Sequence, residues 1–310
     1  MSPADAMVAS EPPDTAVPPA EPLPDEPPCA PAARAWSARF VRSELAMVFR
    51  RRRNLAMLGV LAAVPVLIAV AVRVTDGRPR HGDGSGTGPA LFNSITDNGI
   101  FVALAAMLVI QTLFLPMATA VVSGESVAGE AHTGTLRYLL AVPVSRTRLL
   151  AVKFTAVLAW CLACALTVAI AGVAIGLILF PSGDVTLLSG TTASFADGLY
   201  RLLLVVCYVT VMIAAVGAIG LFVSTLTEVP IAAMATTLVV AIASQVMDAV
   251  PQLSSIHSWL FSHYWLYFSD LLRDPIATNR IDQGLAVSVA YAALFLALAW
   301  AHFSNKDVSS

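Results

Sequence analysis

Six stretches of this chain run apolar for about twenty residues or more with almost no charge inside them, at about 55–74, 99–122, 149–180, 199–223, 229–250 and 283–303. A run beyond roughly 18 apolar residues is long enough to cross the hydrocarbon core of a bilayer. Inside that core, only helices and closed barrels satisfy the backbone. At about 1.5 Å per residue, roughly 20 residues of helix span about 30 Å. The sequence therefore predicts an all-α integral membrane protein with six transmembrane helices over 55–303. Composition agrees: 57% of the residues are hydrophobic and 12% charged, against about 45–50% and about 25% in a soluble domain. The third run is longer than a crossing needs, so its ends should project or tilt. Pro65, Pro116, Gly172 and Gly176 lie inside these runs, where neighbouring helices can satisfy freed backbone groups.

Charge is segregated at the start of the chain. Residues 1–33 hold six acids, ten Pro and no Lys or Arg, a composition that cannot bury enough apolar surface to offset its ordering entropy. It reads as a disordered cytoplasmic tail. Residues 34–53 hold seven Arg and one Glu. Val41, Leu45, Val48 and Phe49 fall on one helical face, with Arg39, Arg42 and Arg50 mostly off it. That pattern predicts an amphipathic interfacial helix over 34–54, with Arg50, Arg51, Arg52 and Arg53 fixing topology at the first span. Residues 304–310 form a short second tail. With the N-terminus inside, twelve Lys and Arg fall on inner segments and six on outer ones. This bias predicts a plasma-membrane protein with both termini in the cytoplasm.

The segment 251–282 is dense in aromatic residues. Trp259, Tyr264 and Trp265 are expected at the membrane–water interface, in a short helix or re-entrant hairpin. His257 and His263 also lie there, but no carboxylate–His spacing marks them as metal ligands, and the sequence assigns no metal site. Cys161 and Cys164 form a CxxC in the middle of a span, read as small apolar residues on one helix face. A net charge of −2 gives no basic field for nucleic acid.

The loop 123–148 carries the functional argument. Glu125 and Glu130 flank small residues. A short helix can start at Gly134 and Thr135 and run through Leu136, Arg137, Tyr138, Leu139 and Leu140. Pro143 ends it, because the residue before Pro is pushed out of the α region. Ser145 can cap the helix that enters the third span. Leu136, Leu139 and Leu140 share one face. Such a helix across the cytoplasmic face has the geometry of an element passing motion from a cytosolic motor to the spans.

Gly124-Glu125, Gly129-Glu130, Gly134-Thr135-Leu136, Leu139-Leu140, Pro143-Val144-Ser145-Arg146, Leu149-Leu150 and Lys153 together resemble the pattern of ABC-2 type transporter permeases. The stretch from Gly220 to Thr227 is also similar to that family, and the resemblance extends over about 36–303. It implies a permease that pairs with a separate ABC ATPase subunit and with a second permease copy, usually as an exporter. The 134–140 segment would be the coupling helix, and the residues contacting the ATPase would be Glu125, Glu130, Gly134, Thr135, Leu136, Arg137, Leu139, Leu140, Pro143 and Arg146. ATP and Mg would be bound by the partner subunit. This chain has no GxxxxGK[ST], so it is expected to be no enzyme and to bind no cofactor itself.

Three other classes remain open. An intramembrane metalloprotease needs clustered His, Glu or Asp at depth, and the spans are nearly free of them. An ion-coupled secondary transporter needs repeats and broken polar helices at the midplane; no clear repeat is present, and Gln111 with Thr112 is a thin polar site for it. A non-transporting membrane scaffold asks for neither. The apolar span walls point to a hydrophobic or amphipathic substrate.

Overall fold

A computed structural model describes residues 32–76, 98–134, 146–181, 183, 185–186 and 191–305. The tail 1–31, the segment 135–145, most of the loop 75–98 and the end of the chain therefore lie outside the described residues. Helix α1 covers Ala32–Arg50 and α2 covers Arg52–Asp76. Next come α3 (Ile100–Thr112), α4 (Phe114–His132) and α5 (Arg146–Leu179). A small antiparallel pair, β1 (Val185–Thr186) with β2 (Thr192–Ala193), joins α5 to α6 (Phe195–Leu226). The chain continues as α7 (Pro230–Asp248), the single turn α8 (Ser254–His257) and α9 (Thr278–Asn305).

Five of these helices are long and apolar enough to cross a membrane, and six crossings result if α3 and α4 count as one bent span. The chain is an all-α, multi-pass membrane protein. The run 99–122, expected as one helix, is instead two, bent by 56° at Leu113. Pro116 lies in the first turn of α4, where its missing N–H breaks no helical bond. Residues 123–132, expected in a loop, are the second half of α4. Helix α5 has 34 residues, about 51 Å at the usual rise, so it overshoots a bilayer core as its sequence predicts.

Side-chain bonds sort the helix ends. Arg146 Nη1 donates to the Phe303 and Ser304 carbonyls, so α5 starts where α9 finishes. The Ser224 hydroxyl donates to Gly124 O and accepts from the Val127 and Ala128 amides, so α6 finishes beside α4. At the other end, Asn98 Nδ2 donates to Gly183 O. Arg201 Nη1 donates there to the Leu271 and Arg273 carbonyls. Counting α3 and α4 as one crossing, the chain traverses the bundle six times, and α1 and the end of α9 share one face.

Helix α6 is the central pillar. It is apolar all round, and 78% of its most apolar stretch is buried, as expected of a helix enclosed by others. Helices α2 and α9 bury only 17% of theirs and turn their remaining apolar side chains outward, toward lipid. Helices α3 and α5 meet backbone to backbone. A Cβ on Gly176 would lie 2.0 Å from Gly99 O, so only glycine allows this approach.

The aromatic residues of the 251–282 segment differ in burial. Trp259 is 73% exposed, in keeping with an interfacial position, but Tyr264 and Trp265 are buried at 5% and 1%. They pack under the far end of the bundle. The Tyr208 hydroxyl donates to Tyr264 O at 2.6 Å, and Phe261 lies 5.9 Å from Trp265, ring to ring. The segment is folded as 3₁₀ turns and α8, a cap over the core.

Candidate functional site

At the face where α1 begins the bundle, five charged side chains line a cavity of about 280 Å³, with Arg53 paired to one of them from outside the lining. Lys153, on the first turns of α5, is the anchor. Its side chain is 2% exposed; Nζ lies 2.6 Å from Glu130 Oε1 on α4 and 3.7 Å from Glu44 Oε2 on α1. Taking an ammonium out of water is costly unless opposite charge meets it. Two acids from two other helices do so here.

A second ionic knot lies beside it. Glu125 on α4 accepts from Arg51 Nη1 at 2.5 Å and from Arg53 Nη2. Arg51 sits at the break between α1 and α2, so Glu125 holds the joint between these two helices. The sequence places Glu125 and Glu130 in a loop; the structure sets them more than a helical turn apart on α4, both facing the cavity. Glycine and serine would weaken that stretch in isolation. The Ser224 hydroxyl of α6 compensates by bonding into its backbone.

Glu44 is the residue the sequence did not single out. It is 6% exposed, lines the cavity, and one oxygen, Oε1, has no hydrogen-bond partner. Burial pushes its carboxyl above the ordinary carboxylate range, with Lys153 pulling the other way. Asn54, buried at 2%, donates from Nδ2 to Val48 O at 2.8 Å and turns an unpartnered Oδ1 into the same region. Formally, three carboxylates face three cations.

Of the other residues the sequence marked, Gly134 is in a tight turn with φ of 71°, a conformation open to glycine. Arg146 is spent on the end of α9 and not on the cavity. Thr135, Leu136, Arg137, Leu139, Leu140 and Pro143 lie outside the described residues. Arg50 and Arg52 are exposed. Cys161 and Cys164 are buried free thiols in the core. Gln111 is fully buried just before the break in the α3–α4 span.

A family described as "Protein of unknown function (DUF2705)" matches residues 90–309, from the entry of α3 to the end of α9. The chain belongs to this DUF2705 family. No curated protein matches it. The DUF2705 match takes in Glu125, Glu130 and Lys153 and leaves out Glu44, Arg51 and Arg53. The charged cavity is thus built across the edge of the family region, half from within it and half from the N-terminal helices.

Proposed function

We propose that this DUF2705 protein is the membrane-spanning permease subunit of an ABC-2 type exporter, working as a pair with a separate ABC ATPase. Its substrate would be hydrophobic or amphipathic. Both termini and residues 133–146 would face the cytoplasm. The observation that carries the reading is the buried Lys153, held by Glu130 and Glu44. Through it, α1, α4 and α5 meet on either side of the segment that resembles a coupling helix. A push on that segment reaches α4 through His132 and α5 through Arg146, and the ionic knots transmit it to the interfacial helix and the first span. Exposed ion pairs alone would be a weak linkage, whereas a buried cation resists separation from its acids.

The test is a pull-down of the full chain with a candidate ABC ATPase, together with ATP turnover in reconstituted vesicles. Leu136→Asp and Leu139→Asp should weaken docking, because an unpaired charge at a buried face costs several kcal/mol and each 1.4 kcal/mol is about tenfold in affinity. Glu130→Ala should leave assembly intact while lowering substrate-stimulated turnover. The isolated chain should hydrolyse no ATP. If both Leu→Asp variants assemble and transport like the parent, the reading is wrong.

A second reading, an ion-coupled transporter, is favoured by one feature: the 56° break at Leu113 with buried Gln111 beside it, since broken helices line ion sites in such proteins. Transport driven by an ion gradient in vesicles lacking any ATPase would select it.

A further inference from the structure

At the opposite end of the bundle from the charged cavity, α7 ends on Asp248 and the chain doubles back through α8. This return brings His257 and His263 against the Asp248 carboxylate. Asp248 Oδ1 lies 2.6 Å from His263 Nδ1 and 3.9 Å from His257 Nδ1. One ligand atom from each of the three residues falls within 4.8 Å of the others. We propose that Asp248, His257 and His263 form a binding site for a divalent transition metal of the zinc class.

The other ring nitrogens supply an independent argument. His257 Nε2 lies 3.1 Å from the Val250 carbonyl. A carbonyl only accepts, so Nε2 carries the proton, and in the neutral ring the lone pair is on Nδ1, toward Asp248. His263 Nε2 lies 3.5 Å from the Tyr267 hydroxyl, which can hold that nitrogen while Nδ1 faces the same carboxylate. Metal-ligating histidines are held in this way, by a backbone carbonyl or similar group on the far nitrogen, which fixes tautomer and ring orientation. Without a cation, the Nδ1 lone pair of neutral His257 confronts a carboxylate. A metal ion removes that conflict and replaces the proton by which His263 bonds to Asp248.

The geometry needs little change. Bonds of about 2.0–2.1 Å in a tetrahedral site put ligand atoms roughly 3.4 Å apart, so closing the site moves His257 by a fraction of its side chain's reach. All three residues lie within 248–263, so few backbone torsions separate them. Side chains 18–26% exposed leave an entry path. Two imidazoles with one carboxylate select zinc, nickel, copper or iron over calcium and magnesium, which favour all-oxygen sets. Three protein ligands leave a fourth position for water. Asp248 is also the C-terminal residue of α7, where the helix dipole favours a cation. Metal binding here would pin the return segment, with its exposed Trp259, to the end of α7.

The probe is zinc chloride, titrated into metal-stripped full-length protein in detergent against a chromophoric competitor chelator, with magnesium and calcium in excess. One zinc per chain is expected. His257→Ala and His263→Ala should each weaken binding by about tenfold or more, while a Cys29→Ser, Cys161→Ser, Cys164→Ser, Cys207→Ser variant binds like the parent. Because an alanine variant can misfold, zinc-edge X-ray absorption on the parent provides a second readout. Two imidazole nitrogens with oxygen ligands support the site. Sulfur ligation, failure of the parent to hold zinc against the competitor, or equal affinity in a His257→Ala, His263→Ala double variant overturns it.

Discussion

The two ends of this bundle are held by different physics. At the charged end, residues far apart in sequence meet through ions: Glu44 with Lys153, and Arg51 and Arg53 with Glu125. At the far end, the aromatic return segment closes over α6 with apolar packing, and Arg201 and Tyr208 bond into its backbone carbonyls. Apolar packing is close-fitting and tolerates little displacement. Exposed ion pairs such as those of Arg51 and Arg53 can exchange partners without leaving a void. The difference separates a rigid end from one suited to rearrangement, and the contrast can be attacked from either side.

The heaviest blow falls on the charged end. Lys153→Met removes the buried cation that meets Glu130 at 2.6 Å and Glu44 at 3.7 Å, and so takes that counter-charge from the buried Glu44. A loss of about 3–5 kcal/mol is expected, as for the breaking of any buried pair, read as a fall in Tm in detergent. Adding Glu130→Gln should recover part of the loss, because the second substitution removes one of the two acids that faced Lys153. If Lys153→Met alone melts like the parent, the cavity is wet enough to solvate its acids and the ionic anchor is not structural.

Gly176→Ala strikes the apolar contact between α3 and α5. The new methyl meets the Gly99 carbonyl, and backbone cannot swing aside as a side chain can. Overpacking of this kind costs about 1–3 kcal/mol. No change of charge elsewhere should rescue it, which distinguishes it from the Lys153 variant in the same melting assay.

These two sites also mark what the sequence could and could not reveal. Long apolar runs made the membrane class and most of the helices legible, because hydrophobic length is a property of the chain itself. The Gly172 and Gly176 pair was visible, but its partner Gly99 was not, since only packing brings them together. Residues 123–132 read as a loop because glycine, serine and acids dominate them; the Ser224 hydroxyl of α6 that supports this helix is about a hundred positions away. Glu44 was hidden among arginines, and the sequence carries no signal that it faces Lys153. Asp248, nine residues before His257, matches no common ligand spacing, and only the turn through α8 unites them. That Tyr264 and Trp265 are buried was not legible, because aromatic density cannot distinguish an exposed belt from a buried cap.

The pH dependence of the charged end follows from Glu44. Burial raises its carboxyl pKa in the folded protein above the ordinary value of 4.5, so the folded state binds that proton more tightly than the unfolded one. Its contribution to stability is therefore fully present below the ordinary carboxylate pKa and is lost as pH rises through the raised folded value. Glu44→Gln should remove this slope. Melting the two proteins from acidic pH to neutrality should show the parent losing Tm relative to Glu44→Gln as pH rises. Parallel curves would mean that Glu44 is solvated through the cavity.

The smallest effect is expected at Arg53, and its smallness is informative. Arg53 and Arg51 share one acceptor, Glu125, and their side chains are 46% and 48% exposed. Exposed pairs are worth about 0–1 kcal/mol, reduced further by salt. Removing one of two donors also leaves Glu125 paired with the other. Arg53→Ala should thus shift Tm by no more than a degree or two while leaving the buried Lys153 anchor untouched. On the permease reading proposed above, a fall in the ATP turnover of vesicles reconstituted with an ABC ATPase would separate a role in motion from a role in stability. The exposed knot would then act as the exchangeable contact between α2 and α4, with Lys153 as the fixed one. If turnover and Tm both match the parent, the Arg53 pair is a surface ion pair only, and the ionic link between α1 and the bundle is the one through Lys153 and Glu44.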